Sequence, residues 1–593
     1  MIIFTITPQQ TTTSHIGYGC IHCGNFQFSV PIRYELMKDR YYGDWTACAV
    51  VHSYLMPLSG NVTETHFITE IELLREIEME VKREIEVPTE SGFSPSTGIY
   101  SSKWDTPLLP QTPFLSLPSF LLSKLPLQIL SKPAFVDSKS GNSITYGELH
   151  SLTNTVAYTL HSLGIKKGDV VFLVSPNFLH FPVLVLGVMS IDAIFSTANP
   201  LHTRLELQSQ IQDTNPKLVL TTPELQYKLN GLTSRPLVLI QDFLKQLVHS
   251  PEGQTLEVQI NQEDTAALMY SSGTTGKNKA VGCSHRNFIA MSCQLRHVWD
   301  VEGEAHEETY MCVIQMFHMF GLSVFVCGVL AVRSTAVILD KYSLEKMLKG
   351  VEQYRVTRLP VVPPMVVHLV RLQDGVKRYD LGSLKEVICS GAPLGTDHME
   401  RFRKCFPKVR LSQCYGLTET SGPITLCDGV GGMCHESIGG LIPSYFQNKK
   451  DTSFAIDNEG WLQTGDLCFI DAFGLVYIVD RIKELIKYKA YQVAPAELEE
   501  VLSSHPDIID AAVIPYPNEE AGEIPMACVV RSGTNKVEED GIISFVANKV
   551  ASYKKVRKVV FVDSIPRSPS GKILRRHLKA STLRQHLHLS SKL

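Results

Sequence analysis

Residues 145–175 read TYGELHSLTNTVAYTLHSLGIKKGDVVFLVS and contain the repeating unit of the chain. The first part has the apolar spacing of an amphipathic helix, and Gly164 follows it as a helix-ending residue. Gly168 and Asp169 then form a turn before VVFLVS, an apolar run of strand length. Similar runs (KLVLTT, PLVLI and AVIL) alternate with helix-length segments further on. The alternation predicts an α/β fold with βαβ units and helices on both faces of a parallel sheet.

Length and composition limit the possible classes of protein. A chain of 593 residues predicts several packed units, at about 150 residues per domain. A charged share of 20% and a net charge of -4 argue against a nucleic-acid binder that works by bulk positive charge. The 14 scattered cysteines indicate reduced thiols in an intracellular compartment. A zinc site built from Cys20, Cys23, Cys48 and His52 is an alternative, but the second pair lacks the usual ligand spacing.

Three further features concern membranes and location. The opening MIIFTI has no basic leader and is too short for a secretory signal. Residues 170–191 and 309–332 lack charged side chains, so a membrane span has to be considered. Proline, asparagine, histidine or glycine interrupt both runs, which favours buried strand–turn–helix segments. The chain ends with Ser591, Lys592 and Leu593, an address read by the peroxisomal import receptor, and this predicts a peroxisomal location.

The pattern changes at both ends of the chain. Residues 1–87 do not continue the α/β alternation, although 69–86 read TEIELLREIEMEVKREIE and predict one charged helix, either a partner helix or a solvated extension. Residues 88–118 are rich in Pro, Ser and Thr, as an extended entry segment would be. After Gly460, short strands with turns precede a helix, a strand and another helix from Pro495. This second pattern predicts a small lid domain.

Residues 270–281 read YSSGTTGKNKAV and follow the apolar run TAALMY. Backbone N–H groups and hydroxyls in such a loop suit phosphate oxygens, and Lys279 adds a point charge. The loop does not have the Walker A spacing. A flexible linker is the alternative, but it would not explain why the loop adjoins a buried strand. The residues assigned to this phosphate-binding loop are Ser271, Ser272, Gly273, Thr274, Thr275, Gly276 and Lys279.

This loop resembles the phosphate-binding signature of the adenylate-forming superfamily, in particular its plant 4-coumarate:CoA ligase-like branch. The resemblance extends from about Ser91 to Arg576 and rests on several motifs in the family order. The other motifs are MFHMFGL at 316–322, VVPP at 361–364, SGAPLG at 390–395, QCYGLTET at 413–420, WLQTGD at 461–466, DRIKELIKYKAYQVAPAELE at 480–499 and PRSPSGKILRR at 566–576. Ordered matches of this number are far more specific than any single one.

The resemblance implies a fold and a reaction. The expected architecture is an extension over 1–87, an adenylation domain over 88–480 and a lid domain over 481–593. The adenylation domain would contain two βαβ-type sheets and a small β-barrel. The expected enzyme activates a carboxylic acid with ATP and Mg²⁺ as acyl-AMP and then transfers the acyl group to coenzyme A. The acid would be a phenylpropanoid, a fatty acid or a jasmonate precursor, and the resemblance implies no nucleic-acid partner and no membrane span.

For the first half-reaction, the resemblance assigns Lys572 to the α-phosphate and the acyl carboxylate, Asp466 to both ribose hydroxyls, Arg481 to the same ribose and Glu419 to Mg²⁺. Gln413, Tyr415, Gly416 and Thr418 complete the nucleotide site. His318 would gate the acyl pocket, and Phe320, Gly391 and Ala392 would line it. An ionised carboxylate suits two ribose hydroxyls, and a hard cation takes carboxylate and phosphate oxygens.

For the second half-reaction, Lys483 lies at the family hinge. Rotation there would replace the Lys572 face of the lid with another face, so that one site serves both half-reactions. The resemblance places Lys487 and Gln492 on that second face as contacts of AMP and acyl-AMP. It assigns Lys489, Ala490 and Lys341 to CoA.

The chain departs from the family pattern in two ways. Asn278, Ala280, Cys414 and Ala490 occupy positions that are usually Gly or Pro, so each could strain the backbone or narrow a route. In addition, SIGGLIP at 437–443 is joined through Ser444 directly to YFQNK, whereas the family carries a few dozen barrel residues between them. This gap leaves open a second hypothesis, a catalytically silent protein that binds a nucleotide or a partner. A membrane protein built on residues 309–332 is the third.

Overall fold

The computed structural model describes residues 107–580 except 249–255, 257, 272–278, 301–302, 372, 377, 393, 427–461, 471–475, 490, 519–520, 533–536 and 569–570. Before 107 and within 427–461 it gives only the backbones of short two-residue strands. Three predictions therefore lie outside the described residues: the charged helix at 69–86, the side chains of the zinc alternative, and the tail at 591–593.

The described chain alternates strands and helices from Leu117 to Phe561. The strands are β1 Pro133–Asp137, β2 Ser143–Thr145, β3 Val170–Val174, β4 Ile194–Ala198, β5 Leu218–Thr221, β6 Leu237–Leu239, β7 Thr265–Ser271, β8 Lys279–Ser284, β9 Thr309–Cys312, β10 Thr335–Ile338, β11 Arg358–Val361, β12 Glu386–Cys389, β13 Arg410–Leu417, β14 Gly422–Leu426, β15 Asp466–Ile470, β16 Val476–Arg481, β17 Ile486–Tyr488, β18 Tyr491–Val493, β19 Ile508–Asn518, β20 Gly522–Arg531 and β21 Lys558–Phe561. The helices are α1 Leu117–Leu122, α2 Leu127–Leu130, α3 Tyr146–Ser162, α4 Phe181–Met189, α5 Arg204–Thr214, α6 Pro223–Leu229, α7 Ile240–Val248, α8 His285–Trp299, α9 Met319–Leu322, α10 Val329–Ala331, α11 Leu344–Gln353, α12 Pro363–Arg371, α13 Gln373–Val376, α14 Thr396–Cys405, α15 Pro495–Ser503 and α16 Glu539–Ala547.

The first sheet has the strand order β6-β5-β3-β4-β7-β8, with the short strand Ser444–Tyr445 beside β8. Its first five strands are parallel, and β8 returns antiparallel to β7. The predicted βαβ alternation is confirmed here, because α3 precedes β3 and α4 connects β3 to β4. Thr145 and Glu148 close a capping box at the start of α3, which fixes where this helix begins.

The second sheet has the order β14-β13-β12-β11-β9-β10-β1-β2, with Cys434–His435 beside β14. The strands from β13 to β1 are parallel in register, and the two edge strands are antiparallel. One buried cluster of apolar side chains fills the space between the sheets and their helices. The predicted mixture of two parallel sheets with covering helices is therefore observed.

The two uncharged runs are buried strand–turn–helix segments, as predicted. Residues 170–191 form β3 and α4, and every residue of α4 is buried. Residues 309–332 form β9, α9, a π-helical turn at Ser323–Gly328 and α10. Among the described residues, no helix has both the length and the apolar character needed to cross a membrane.

A hairpin of β15 and β16 links the large body to the lid, and the strand Ile2–Ile3 pairs with β15. The segment Ile482–Glu484 then leads into the lid sheet, whose order is β18-β17-β20-β19 with β21 beside β20. Between the two lid helices the sequence predicted a single strand, but the structure has a long hairpin of β19 and β20. The difference arises because the polar turn at 518–522 joins two apolar runs that pair along their whole length. The remaining barrel residues lie outside the described part of the chain.

Candidate active site

Four motifs meet at one edge of the second sheet because each follows the carboxyl end of a parallel strand. His318 follows β9, VVPP ends β11, Ser390 to Ala392 follow β12, and Thr418 follows β13. The register places Cys389, the last residue of β12, beside Gln413, where the QCYGLTET motif begins within β13. In open α/β sheets, ligands bind outside the carboxyl ends of the strands. This edge is therefore the candidate active site.

The predicted phosphate-binding loop connects β7 to β8, where Ser271 pairs with Lys279. Ser272, Gly273, Thr274, Thr275 and Gly276 lie outside the described residues. The buried Ser271 hydroxyl has no hydrogen-bond partner among the residues that the structure describes.

The turn Thr418–Thr420 contacts both β7 and β8. The predicted phosphate contact Thr418 and the predicted Mg²⁺ ligand Glu419 therefore lie beside the strands from which this loop emerges.

Asp466 is the centre of a buried polar group. Only 3% of the surface of Asp466 is exposed. Its carboxylate accepts a hydrogen bond of 2.6 Å from the Tyr415 hydroxyl. On its other oxygen it meets Arg481, whose Nε lies 3.2 Å away, since the two residues pair across β15 and β16. Burial first, and then the nearby Asp466, raise the pKa of Tyr415, so this phenol stays a donor. The backbone N–H of Asp466 donates to the Thr464 hydroxyl at 3.2 Å, which fixes the strand entry.

Arg481, Lys572 and Lys483 form a cluster of cations, and two of them, Arg481 and Lys572, lie near this carboxylate. Desolvation is the largest cause that lowers the pKa of Lys572, to about 8, and repulsion from Arg481 adds to it. The pKa of Lys483 is also lowered to about 8, by desolvation and then by Arg481 and Lys572. Glu484 and Asp466 oppose part of this effect at Lys572. An arrangement of cations that repel one another is stabilised by an anion, and a polyphosphate carries the required charge.

A tight turn in the lid presents Lys572. Its backbone N–H donates to the Ser568 hydroxyl at 3.1 Å, and the Ser568 N–H donates back to the Lys572 carbonyl at 2.8 Å. Gly571 has a φ of +82°, and a Cβ there would lie 2.8 Å from Cδ of Pro364 in the VVPP motif. Only glycine combines this backbone conformation with such a close approach. The lid is therefore seated on the large body at the residue that precedes Lys572.

His318 lies where the loop after β9 becomes α9. Its Nδ1 accepts a hydrogen bond of 3.3 Å from the backbone N–H of Phe320 and so caps the helix. Desolvation lowers the pKa of His318 to about 4, so the ring is neutral at physiological pH. A neutral ring with Nδ1 as acceptor carries its proton on Nε2. This geometry is compatible with the predicted gating role.

An apolar cavity of about 20 Å³ lies beside Phe320. Its lining residues are Gln294, Leu295, Val298, Trp299, Phe320, Val324, Ile388, Cys414, Pro423 and Thr425. Gly391 and Ala392, which were predicted to line the acyl pocket, are not among them. They follow β12 at the sheet edge, where Gly391 is exposed with a φ of +89°. Of the predicted pocket residues, the structure brings Phe320 to the cavity.

The predicted second face of the lid is separate from the Asp466 group in this structure. Lys487 and Gln492 pair across β17 and β18, and both are exposed, as is Lys489. Ala490 lies outside the described residues. Lys341, the other predicted CoA contact, is exposed after β10. The conformation seen here therefore presents Lys572 to the site and leaves the alternative face in solvent.

Two of the residues that stand where the family usually has Gly or Pro cause no backbone strain. Ala280 lies in β8 opposite Tyr270, and Cys414 lies in β13 beside β14. Neither has a positive φ, so an L-residue fits both positions. Cys414 lines the apolar cavity, so the thiol side chain changes the pocket surface and leaves the fold unaltered. Asn278 lies outside the described residues.

Sequence reasoning missed three supporting residues. Thr464 and Ser568 fix the backbone of Asp466 and Lys572 through hydrogen bonds. Both stand inside quoted motifs, so their hydroxyls at turn positions were a usable signal. Trp299 lines the cavity, but its helical spacing from Leu295 reads equally well as ordinary core.

The sheet-edge site, with cations gathered around a buried carboxylate, defines a nucleotide-binding protein built from a large α/β body and a small lid. Two family models match the chain: AMP-binding enzyme over residues 128–448, and AMP-binding enzyme C-terminal domain over residues 497–572. The chain belongs to the AMP-binding enzyme family.

Sequence relatives refine this assignment. A probable CoA ligase of Humulus lupulus is 42% identical over 537 residues, covering 82% of this chain and 96% of that protein. The peroxisomal OPC-8:0-CoA ligase 1 of Arabidopsis thaliana is 41% identical over 536 residues, covering 83% and 97%. The 4-coumarate--CoA ligase-like 2 of the same plant is 40% identical, covering 83% and 95%. The chain therefore lies in the plant 4-coumarate:CoA ligase-like branch and is an acid–thiol ligase of the AMP-forming type.

Solved structures agree in fold. ATP-bound MatB from Rhodopseudomonas palustris has a TM-score of 0.70 at 24% identity, covering 79% of this chain and 98% of that one. The anthranilate CoA ligase AuaEII, in complex with anthranoyl-AMP, has a TM-score of 0.71 at 21% identity, covering 79% and 98%. At these identities the likeness shows the fold alone.

The alignments also show that this chain lacks some residues that its relatives have. The alignment with the Humulus lupulus protein has 537 positions, but it includes only 82% of the 593 residues of this chain, which is about 486 residues. At about 51 positions of the alignment, the relative therefore has a residue and this chain has none. The same subtraction for the peroxisomal Arabidopsis ligase, 536 minus about 492, leaves about 44. A deficit of this size matches the few dozen barrel residues predicted to be missing at Ser444. Its location at that junction stays a prediction.

Proposed function

We propose that this chain is an ATP- and Mg²⁺-dependent carboxylate:CoA ligase that works in two half-reactions at one site. The acid first becomes acyl-AMP with release of pyrophosphate, and the acyl group then passes to CoA with release of AMP. The observation that supports this most directly is the convergence of Arg481 and Lys572 on the buried Asp466, with Lys483 beside both cations.

In the first half-reaction, a carboxylate oxygen of the acid attacks the α-phosphorus, and the bond from that phosphorus to the pyrophosphate oxygen breaks. Negative charge accumulates on the α-phosphate in the transition state, where preorganised cations stabilise it. Lys572 is held by the Ser568 turn for this role. Asp466 would accept hydrogen bonds from the ribose hydroxyls, while Tyr415 and Arg481 keep its carboxylate fixed. Glu419 would supply the carboxylate for a Mg²⁺ that also takes phosphate oxygens.

In the second half-reaction, the CoA sulfur attacks the acyl carbon, the thiol proton leaves, and the C–O bond to AMP breaks. The lid would rotate at Lys483 and exchange Lys572 for the exposed face of Lys487, Lys489 and Gln492. The connector Ile482–Glu484 is short and separates two sheets, which suits a hinge.

The acid and the location are finer proposals. The proposed acid is a phenylpropanoid, fatty or jasmonate-precursor acid, and the names of two relatives, a 4-coumarate--CoA ligase-like protein and an OPC-8:0-CoA ligase, support an acid of this kind. Ser591, Lys592 and Leu593 would direct the protein to the peroxisome through the import receptor. The name of one relative, a peroxisomal ligase, agrees with this location. A fluorescent reporter that carries the last residues should collect in peroxisomes, and a diffuse cytosolic signal would remove the proposal.

Acid-dependent release of pyrophosphate from ATP tests the activity. Purified protein is screened against coumarate, caffeate, medium-chain fatty acids and cyclopentenone-bearing acids, with Lys572→Ala as the inactive variant. Lys349→Ala is the matched control, because Lys349 is exposed and pairs with Glu345 on a helix surface. We expect loss of one electrostatic contact to the transition state to cost about 10²–10³ in rate. Equal rates in Lys572→Ala and the control would exclude the mechanism.

A catalytically silent nucleotide-binding protein is the second candidate. The deficit of about 44 to 51 positions against the relatives favours it. The strand Ser444–Tyr445 pairs directly with β8, so the chain rejoins the first sheet at the predicted junction. Binding of ATP by calorimetry without acid-dependent pyrophosphate release would establish this candidate in place of the first.

A further inference from the structure

Asp480 caps a helix of the lid from the other side of the connector. Ala494 takes the N-cap position before α15 (Pro495–Ser503), but its side chain has no hydrogen-bond acceptor. Pro495 follows and has no N–H, so Ala496 is the first residue of the helix whose N–H needs a partner. This N–H donates to Oδ2 of Asp480 at 2.9 Å. The helix therefore obtains from β16 the cap that its own sequence does not supply.

Two neighbouring residues of β16 serve the nucleotide site and the lid separately. Successive side chains of a strand point to opposite faces. Arg481 meets Asp466 in the proposed nucleotide site, with its Nε 3.2 Å from the carboxylate. Asp480 contacts α15 instead, and only 7% of its surface is exposed. The strand that orders the ribose contact therefore also carries the contact to the lid.

Both oxygens of the Asp480 carboxylate are in use. Oδ1 accepts a hydrogen bond of 2.7 Å from the backbone N–H of Arg481, while Oδ2 accepts the bond from Ala496. An asparagine has only one side-chain oxygen and would place an N–H₂ group against one of these donors. The position therefore needs a carboxylate.

The contact crosses the point at which the lid is proposed to turn. The connector Ile482–Glu484 follows β16, so Asp480 lies on the body side of it and Ala496 on the lid side. α15 also meets the large body at Gly395, where a Cβ would lie 3.7 Å from Cγ of Glu500. A rotation at the connector moves α15 relative to β16 and to Gly395, so both contacts belong to the seated lid.

The surroundings of Asp480 make this contact easy to release. Burial is the largest cause that raises the pKa of Asp480, and Glu484 adds to it, while Arg575 and the two N–H donors act in the opposite direction. Arg575 is shared, since its Nε lies 3.2 Å from Glu484 and its Nη1 3.0 Å from Glu499. One guanidinium therefore compensates three carboxylates. The desolvation of Asp480 opposes the seated lid and its hydrogen bonds favour it, which suits a contact that forms and breaks in each catalytic cycle.

We propose that Asp480 is a positioning residue: it holds the lid in the orientation that presents Lys572 by capping α15 from the body side, and loss of this cap releases the lid for rotation. This inference rests on the proposed function, which assigns the seated lid to the first half-reaction. Asp480 acts through α15, so its replacement should change the balance between the two half-reactions.

The ratio of the two half-reactions is the main measurement. Full-length protein is assayed for acid-dependent pyrophosphate release and, separately, for acyl transfer to CoA from supplied acyl-AMP, with the acid that gives the highest rate in the screen. Loss of a helix cap shifts an equilibrium by about fivefold to tenfold. In Asp480→Ala we expect pyrophosphate release to fall by about this factor, while acyl transfer persists or rises. A ratio of two rates within one variant does not depend on the fraction of folded protein.

Two further variants separate lid positioning from helix stability. Ala494→Ser, combined with Asp480→Ala, gives α15 a local cap, because serine is a preferred N-cap residue and Ala494 has the extended backbone of that position. The link across the connector is still absent, so the altered ratio should remain. Glu148→Ala is the matched control: it removes a carboxylate from the capping box that Glu148 forms with Thr145 in the large body, and it should leave the ratio unchanged.

Hydrogen exchange followed by mass spectrometry tests the same claim without turnover. In Asp480→Ala, backbone exchange should rise in the first turn of α15 and also at residues 395–399 of the large body, against which α15 is seated. In the double variant with Ala494→Ser, exchange in α15 should return to that of the unsubstituted protein, whereas exchange at 395–399 should stay raised. Glu148→Ala should change neither region.

The outcomes separate this inference from the proposed function. An unchanged ratio in Asp480→Ala, or recovery of the ratio in the double variant, would overturn the positioning role. Exchange that rises only within α15 would overturn it as well. Absence of both half-reactions in the unsubstituted protein with every acid tested would overturn the proposed ligase, and exchange at 395–399 would then decide the positioning role by itself.

Discussion

The lowered pKa of Lys572 gives a pH dependence that can be worked out in advance. Its pKa is lowered from 10.5 to about 8, first by desolvation and then by Arg481. A difference of this size corresponds to about 3 kcal/mol before solvent screening is allowed for, and less afterwards. Because the folded protein disfavours the ammonium form, Lys572 carries its charge below pH 8 and loses it as the pH rises through that value.

The expected consequence is a falling limb in kcat/KM for ATP, since this quantity reports the protonation state of the free enzyme. At pH 9 about one tenth of a group with a pKa near 8 remains protonated, so adenylation should be about tenfold slower than at pH 7. Bound ATP supplies the counter-charge and raises the pKa again, so kcat should fall at a higher pH than kcat/KM. His318, with a pKa of about 4, does not titrate in this range.

The assay is initial pyrophosphate release between pH 6.5 and 9.5 at several ATP concentrations, with Lys572→Arg and Lys483→Arg as the comparison variants. Arginine stays charged throughout this range, so Lys572→Arg should be slower overall and should lose the falling limb. Lys483→Arg should keep the limb, because Lys572 is the proposed α-phosphate contact and Lys483 is the proposed hinge residue. A limb that persists in Lys572→Arg, or one that disappears only in Lys483→Arg, would refute the reasoning.

Three further predictions follow from individual contacts. Asp466→Asn should weaken ATP binding by at least about tenfold in calorimetry, because a neutral amide cannot hold the ribose hydroxyls as the carboxylate does, and unchanged affinity would contradict the ribose role. Gly571→Ala introduces a Cβ 2.8 Å from Pro364 at a φ of +82° and so disturbs the contact between the lid and the large body. Pyrophosphate release should fall, while transfer of the acyl group from supplied acyl-AMP to CoA persists. Equal loss of both activities would contradict a local effect on the lid. Arg575→Gln removes a guanidinium that lies 3.0 Å from the partly buried Glu499, so unfolding should become easier by up to about 3 kcal/mol in denaturant titration. An unchanged midpoint would show that the pair is dispensable.

Local patterns predicted much of the architecture. The run VVFLVS became a fully buried strand because only a central parallel strand can bury every side chain of such a run. Gly164 and Gly168 both have positive φ, as their turn assignments predicted. The motif order also predicted that Asp466 and Lys572 belong to one site, and the structure brings both next to Arg481.

Other features were beyond the reach of sequence reasoning because they depend on pairing across space. The polar turn at 518–522 was not recognised as a hairpin turn, so β19 and β20 were predicted as one strand. Gly391 lies at the sheet edge after β12, and its role in the acyl pocket stays a prediction, because a pocket wall depends on which strand faces bury side chains. Trp299 carried no signal beyond an apolar helical position, and its place in the cavity wall comes from the packing of α8 against the π-helical turn Ser323–Gly328.

The cation cluster suggests how chemistry and lid movement are coupled. With the lid seated, Lys572 lowers the pKa of Lys483, and Arg481 lowers the pKa of both lysines. A bound triphosphate would cancel this repulsion and favour the seated lid. Once pyrophosphate leaves, acyl-AMP retains a single phosphate charge, so the same cations repel one another with less compensation. The proposed rotation at Lys483 would then be driven by the loss of the product that the first half-reaction releases, and no separate trigger would be needed to expose the site to CoA.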